Sequence, residues 1–283
     1  MKLQSDELNV DDLTHHVCFP IGGSTGSGKT SLVMALLREM DLISGSVNFP
    51  RGSSKIVNPV TGYIPGTIAY VSQYPWLQQA SIRDNILFGS PFEAGRYQQV
   101  LEACALLPDL EVFEHGDLTE IGEKGITLSG GQKQRVALGR AIYSRAQHLL
   151  FDDCLSAVDA HTARHLFENC LMGPLVAGRT RILVTHHVRL CLRDATYVAL
   201  VKDGALALTG SPVKLIRSGL LSEILERNGM MEEDKEASSS STLATEHSAL
   251  SKDPSVRSCD SPKAKPSKSS KKSRKLIDEE GKQ

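Results

Sequence analysis

The octapeptide GSTGSGKT, Gly23 to Thr30, constrains the chain more than any other stretch of it. It satisfies GxxxxGK[ST] at every position (Gly23, Ser24, Thr25, Gly26, Ser27, Gly28, Lys29, Thr30), and Ser31 adds a second hydroxyl. The glycines let backbone N–H groups turn inward around a polyphosphate, Lys29 supplies a point charge to the β and γ phosphates, and Thr30 offers a hydroxyl to Mg²⁺. Such a loop hangs from a buried strand and opens into a helix whose positive end faces the same anion. The lead-in THHVCFPIG makes a poor strand by this standard. Pro20 cannot donate a ladder hydrogen bond and sits where a central strand should run, so a weakly supported loop is the expectation.

Downstream, helix and strand patterns alternate, as in α/β proteins. Val33, Leu36, Leu37 and Met40 predict a helix of about three turns after the glycine loop, stopped by Gly45 and Pro50. Thr67 to Val71 reads as a buried strand, and Tyr97, Val100, Leu101 and Cys104 mark one face of a helix. Ser129 with Gln132 fits a capping box opening a helix through Val136 and Ala141. The apolar run Leu149-Leu150-Phe151 reads as a strand buried on both faces. Leu166, Phe167 and Cys170 predict another helix, and Ile182 to Val184 another strand. Tyr197 to Val201 and Ala205 to Leu208, joined by Lys202-Asp203-Gly204, read as a closing hairpin.

Composition excludes several classes of function. A net charge of −1 over 283 residues gives no electrostatic reason to expect nucleic acid as partner. The six cysteines form no CxxC pair, which suits reduced, buried thiols better than a disulfide framework or a zinc site. The pairs His15-His16 and His186-His187 are poor metal ligands, because adjacent residues on an extended strand point opposite ways. No segment approaches the roughly 20 apolar residues that span a bilayer. The folded domain is expected over residues 1–228, with 229–283 a disordered Ser- and Lys-rich linker lacking the apolar residues to offset its ordering entropy.

The second constraining motif is Leu128-Ser129-Gly130-Gly131-Gln132-Lys-Gln-Arg135. As isolated chemistry it is a capped helix N-terminus whose glycines expose backbone N–H groups to an anion without a lysine. Together with the P-loop it resembles the signature of ATP-binding cassette (ABC) ATPases. The rest of that set follows in order: Gln73 resembles the Q-loop glutamine, Leu149-Leu150-Phe151-Asp152 the Walker B strand, Ser156-Ala157-Val158-Asp159 the D-loop, and His186 the switch histidine. The stretches YVSQYPWLQQASIRDNILFG, EIGEKGITLSGGQKQRVALGRAIYS and LLFDDCLSAVDAHTA are similar to the first nucleotide-binding domain of the C subfamily, the multidrug resistance-associated exporters.

The resemblance implies an α/β P-loop NTPase with a RecA-like parallel core, a helical signature subdomain at about 78–145, and N-terminal antiparallel strands largely missing. It implies ATP as substrate and Mg²⁺ as cofactor, the metal held by Thr30, Gln73 and Asp152. A second cassette joins head to tail and receives Leu128 to Gln132 at its own ATP. The transmembrane domains of an exporter complete the assembly on the cytoplasmic face of a membrane. Catalytic roles fall to Gln73, Asp153 and His186. Asp153 stands where the family usually has a glutamate, and the C subfamily's first cassette commonly carries this aspartate, so its own site is expected to bind ATP well and hydrolyse it poorly. Family members also stack adenine on an aromatic residue before the P-loop. None stands between Met1 and Gly22 except Phe19, too close to the loop, and by analogy with base stacking the loss amounts to roughly ten- to a hundredfold in affinity. Two readings stay open: a transport-coupled ATPase cassette, or a truncated ATP-binding or cassette-interaction module without turnover.

Overall fold

Five residues, Cys18–Gly22, form the strand β1, and every one of them is buried. The computed structural model describes residues 18–44, 46–47, 57–60, 62–122, 126–186 and 191–217. The chain divides into two units, Met1–Asp234 and Lys235–Gln283, and all described residues lie in the first. Any strands before Cys18 and the expected linker at 229–283 lie outside the described residues.

The described elements continue as α1 (Lys29–Leu37), β2 (Ile64–Val71), α2 (Ile82–Leu87), α3 (Ala94–Ala103), α4 (Leu107–Val112), α5 (Gly130–Tyr143), β3 (Ala146–Asp152), α6 (Ala160–His165), β4 (Thr180–Val184), β5 (Val198–Lys202), β6 (Ala205–Gly210) and α7 (Pro212–Arg217). A wider π turn, Leu166–Leu171, extends α6. The sheet order is β2-β3-β4-β1-β5-β6. All pairs are parallel except β5 with β6.

This order places β1 in the middle of the sheet, which corrects the expectation drawn from Pro20. The carbonyl of Cys18 accepts from Thr196 N–H on the β5 side, and that of Ile21 accepts from Thr185 N–H on the β4 side. Backbone groups alternate sides along a strand, so Pro20 turns with Cys18 toward β5. Pairing with β5 registers only at Ile21 and Gly22. Pro20 therefore faces the start of that ladder, where its missing donor costs least.

The period of two also explains the apolar runs. Leu149, Phe151 and Leu183 face one core with the helices α2, α3 and α5, whereas Leu150, Ile182 and Val184 face another with Phe19, Ile21 and α1. Strands covered on both faces have no polar side to alternate. Helix α1 is shorter than its periodicity suggests. It ends at Arg38, in the left-handed region at φ 64°, before Met40, Gly45 or Pro50. Arg38 N–H bonds to Ala35 O and Glu39 N–H to Met34 O, the paired closure of a Schellman motif.

The closing hairpin is tighter than expected, with Lys202 opposite Ala205 and only Asp203-Gly204 between. Both turn residues have positive φ, 51° and 76°, the geometry that matches the twist of paired strands. Cys18, Cys104, Cys154, Cys170 and Cys191 are free and buried.

Candidate nucleotide-binding site

The glycine loop leaves β1 at Gly23 and enters α1 at Gly28, which caps the helix in the left-handed region at φ 102°. No side chain caps α1, so its first-turn N–H groups stay free for an anion. The β5–β6 hairpin supports the loop from behind. Gly204 N–H donates to Ser27 O at 2.9 Å, and a Cβ on Gly23 would lie 2.3 Å from the Val201 carbonyl oxygen. Glycine at 23 is thus dictated by a strand distant in sequence.

Lys29 crosses the loop, donating from Nζ to Gly23 O at 2.9 Å and to Ser24 O at 2.8 Å. Burial pushes its ammonium below the ordinary lysine range, against the pull of Asp153 and Asp152. Thr30 Oγ1 donates to Asp152 Oδ1 at 3.2 Å, across from the end of β3. Burial holds the Asp152 carboxyl above its usual range, opposed first by the Thr30 hydrogen bond. Tyr70, on β2, also reaches Asp152, with its hydroxyl 3.4 Å from Oδ2, and burial together with that carboxylate pushes the phenol up to about 12. Sequence reasoning assigned Tyr70 only to a strand. Its one signal is a polar-tipped aromatic among the apolar residues Ile68, Ala69 and Val71.

Asp153 follows β3 in the left-handed region, φ 48°, a conformation that costs a non-glycine residue on the order of 1 kcal/mol or more. Its N–H bonds to Val184 O at 2.9 Å, pinning it beside the end of β4. Gln73 Nε2 donates to Asp153 Oδ2 at 3.2 Å, and His186 Nε2 stands 3.9 Å from the same oxygen. Thr25, Gly26 and Gly28 to Ser31 of the P-loop border one cavity of about 220 Å³ together with Gln73, Asp152, Asp153 and His186.

Mg²⁺ fits this donor set. Asp152 is a buried carboxylate beside a hydroxyl, partnered by neutral groups and pushed toward its uncharged form, and a hard divalent cation would complement it. The Gln73 amide spends its nitrogen on Asp153, so its oxygen is the ligating atom it can offer.

The signature lies elsewhere. Ser129 caps α5 with the expected box: its side chain accepts from Gln132 N–H, and the Gln132 side chain accepts from Ser129 N–H. Leu128 is buried beneath, while Ser129 and Gly130 are exposed. A Cβ on Gly131 would stand 3.0 Å from Ala157 O, so the signature packs directly on the D-loop. In that loop Ser156 Oγ donates to Asp153 O at 2.8 Å, and Asp159 caps α6 by accepting from Thr162 N–H at 3.0 Å. Val158 is half-buried beside Gly131. None of Leu128 to Gln132 or Ser156 to Asp159 borders the P-loop cavity. Phe19 stacks on Tyr197 inside the core, 5.4 Å between ring centres, and is unable to serve as a base platform.

A central parallel strand that releases a glycine loop into a helix N-terminus, with consecutive carboxylates ending a strand two places away, is the arrangement of P-loop nucleotide-binding domains. Among these, the chain belongs to the ABC transporter family, whose profile matches residues 12–156. It is 52% identical over 204 residues to a pleiotropic ABC efflux transporter of multiple drugs from Candida glabrata, covering 72% of this chain and 12% of that protein. Identity to an ATP-dependent bile acid permease of Saccharomyces cerevisiae is 48% over 255 residues, 89% of this chain and 15% of the permease. ATP-binding cassette sub-family C member 2 of Homo sapiens is 47% identical over 207 residues, 72% of this chain and 12% of its own. The chain therefore spans about an eighth of the length of these relatives.

Proposed function

We propose that this chain is a nucleotide-binding cassette of a C-subfamily exporter, binding MgATP at its own P-loop and, with a second cassette, coupling ATP hydrolysis to transport across a membrane. The observation that carries the reading is the convergence of the P-loop, Asp152, Asp153, Gln73 and His186 on one cavity. In this reading the loop amides and Lys29 hold the β and γ phosphates, Lys29 exchanging the Gly23 and Ser24 carbonyls for phosphate oxygens. Thr30, Gln73 and Asp152 would hold Mg²⁺, which would supply charge neutralisation at the phosphates. Asp153 orients the attacking water, with Gln73 and His186 both near its Oδ2. The aspartate is one methylene short of the usual glutamate, and proton abstraction demands hydrogen-bond reach, so the own site turns over slowly.

The exposed signature, apart from that cavity but against the D-loop, supports a role at a partner's nucleotide. A head-to-tail pair would give Ser129 and the Gly130 and Gly131 amides a second polyphosphate to bind. An apolar patch supports the transmembrane partner. Trp76 is 60% exposed and Phe88 49%, with the Arg140 guanidinium 5.5 Å and 4.6 Å from their ring centres. No helix among the described residues is long and apolar enough to cross a membrane, so this reading attaches the cassette to membrane domains through such a surface.

Asp153 favours the alternative module without turnover to this extent: at the own site, binding and hydrolysis come apart. Equilibrium titration of the full chain with a fluorescent ATP analogue, with and without Mg²⁺, tests the reading. Saturable Mg²⁺-dependent binding that Lys29→Ala reduces at least tenfold is the expected result. Binding indifferent to Lys29 would overturn it.

A further inference from the structure

Asp109, on α4, lies outside every motif quoted above, yet two side chains of the first turns of α5 converge on it. Gln132 donates from Nε2 to Asp109 Oδ1 at 2.9 Å. Arg135 donates from Nη1 to Oδ2 at 2.5 Å and from Nη2 to Oδ1 at 3.2 Å, a two-pronged pair, and also binds the Ala105 carbonyl. The side chains of Arg135 and Asp109 are only 16% and 15% exposed, so this pair is shielded more than a surface salt bridge.

The consequence falls on Gln132. Its Oε1 accepts from Ser129 N–H at 2.8 Å and its Nε2 is committed to Asp109, so both ends of the amide are used within the chain. Gln132 is a strut between α4 and the signature turn rather than a group extended outward. What remains directed outward is the Ser129 hydroxyl, free to donate while it accepts from Gln132 N–H, and the amides of the helix start. Arg135 also neutralises a carboxylate that would otherwise repel an anion approaching that helix end.

We propose that Asp109 is a positioning residue for a nucleotide held by a partner cassette: through Gln132 and Arg135 it fixes the signature turn so that Ser129 and the Gly130 and Gly131 amides meet the phosphates in register. The inference rests on the reading that this signature completes a partner's site. A misplacement of about 1 Å at such a contact costs on the order of a hundredfold in rate.

The test mixes the full chain with a partner cassette that carries a glutamate after its Walker B aspartate, and measures turnover at saturating MgATP. Asp109→Ala lowers the rate at least tenfold. Asp109→Asn, which keeps an oxygen for Gln132, restores it to within threefold of the parent. MgATP affinity at the chain's own P-loop stays at the parent value in both variants, and both stay folded at the assay temperature, although Asp109→Ala lowers the thermal midpoint by breaking the shielded pair with Arg135. Ser129→Ala is the control. If it abolishes turnover while Asp109→Ala leaves turnover intact, the Asp109 assignment is overturned and the cassette reading survives. If neither changes the rate, the cassette reading itself fails. Loss of the fold or of own-site affinity in Asp109→Ala, or an Asn variant as poor as Ala, would reduce Asp109 to a merely structural residue and overturn the assignment.

Discussion

In the proposed reading, Asp153 sets the chemistry of the own site at the scale of one residue. Its Oδ2 receives the Gln73 amide and lies near His186, so a carboxylate proposed to orient water would have both neighbours in place and be short only in length. Asp153→Glu is expected to raise own-site turnover about tenfold or more, part of the roughly 10²–10⁴ that a fully positioned base supplies. Turnover is measured against a partner whose own P-loop lysine is replaced, so that only this site reports, and an unchanged rate would show that reach is not what limits it. Gly23→Ala makes a second case. With the new Cβ 2.3 Å from Val201 O, 2.6 Å from Ser27 Oγ, and φ at 150°, the loop must shift, and MgATP affinity falls more than tenfold by titration. The spacing GxxxxGK[ST] made the loop legible in the sequence, but the contact that requires glycine at 23 comes from β5 and has no local signature. Tyr70 and Asp109 were illegible for the same reason, since their roles exist only through partners far along the chain.

Elements were more legible than the contacts between them. The capping box at Ser129 and Gln132 marks the start of α5 in sequence and in structure, because it is a local interaction. The Pro20 expectation failed because the cost of a proline depends on which neighbour its nitrogen faces, and register is not written in a single strand. The C-terminal end of α5 shows another nonlocal device. Arg179, before β4 and fully buried, donates to Ile142 O at 3.2 Å and Ser144 O at 2.8 Å, while Arg96 of α3 binds Ile142 O, Tyr143 O and Ser144 O. Two guanidinium groups thus cap the negative end of the helix whose other end is the signature. Burial lowers Arg179 to about 10, so it stays charged at neutral pH, and its guanidinium lies 4.3 Å from the centre of the Tyr63 ring. Arg179→Met strips bonds from a charged donor to buried carbonyls, each worth about 1.5–3 kcal/mol. Denaturant unfolding should show a loss of about 2–4 kcal/mol, and a variant as stable as the parent would contradict this clamp.

At the scale of the whole molecule, alternating helix and strand signals gave the α/β class, and the two-sided burial of β3 and β4 explains why their sequences read as unbroken apolar runs. Not all of that interior is apolar. His148 lies in β3 at 3% exposure, and burial pushes its imidazole down to about 4. The unfolded chain binds a proton below about pH 6.5 that the folded chain refuses, so stability is full above that pH and declines as pH falls toward 4. At about 1.4 kcal/mol per pKa unit the loss reaches up to about 3 kcal/mol. His148→Gln should flatten the decline between pH 6.5 and 4 in denaturant midpoints, and parallel curves for parent and variant would contradict it.

The proposed division of labour between two sites would have this chain bind MgATP at an own site made slow by Asp153 and lend Ser129 to a faster site on a partner. Its most direct test is the steady-state ATPase rate of the full chain paired with a glutamate-bearing cassette, compared between Ser129→Ala and Asp153→Ala. The account predicts at least a tenfold loss for Ser129→Ala and a change within about twofold for Asp153→Ala, the larger loss being of the order seen when a phosphate-directed donor is removed from an active site. A parent rate in Ser129→Ala, or a loss confined to Asp153→Ala, would contradict it.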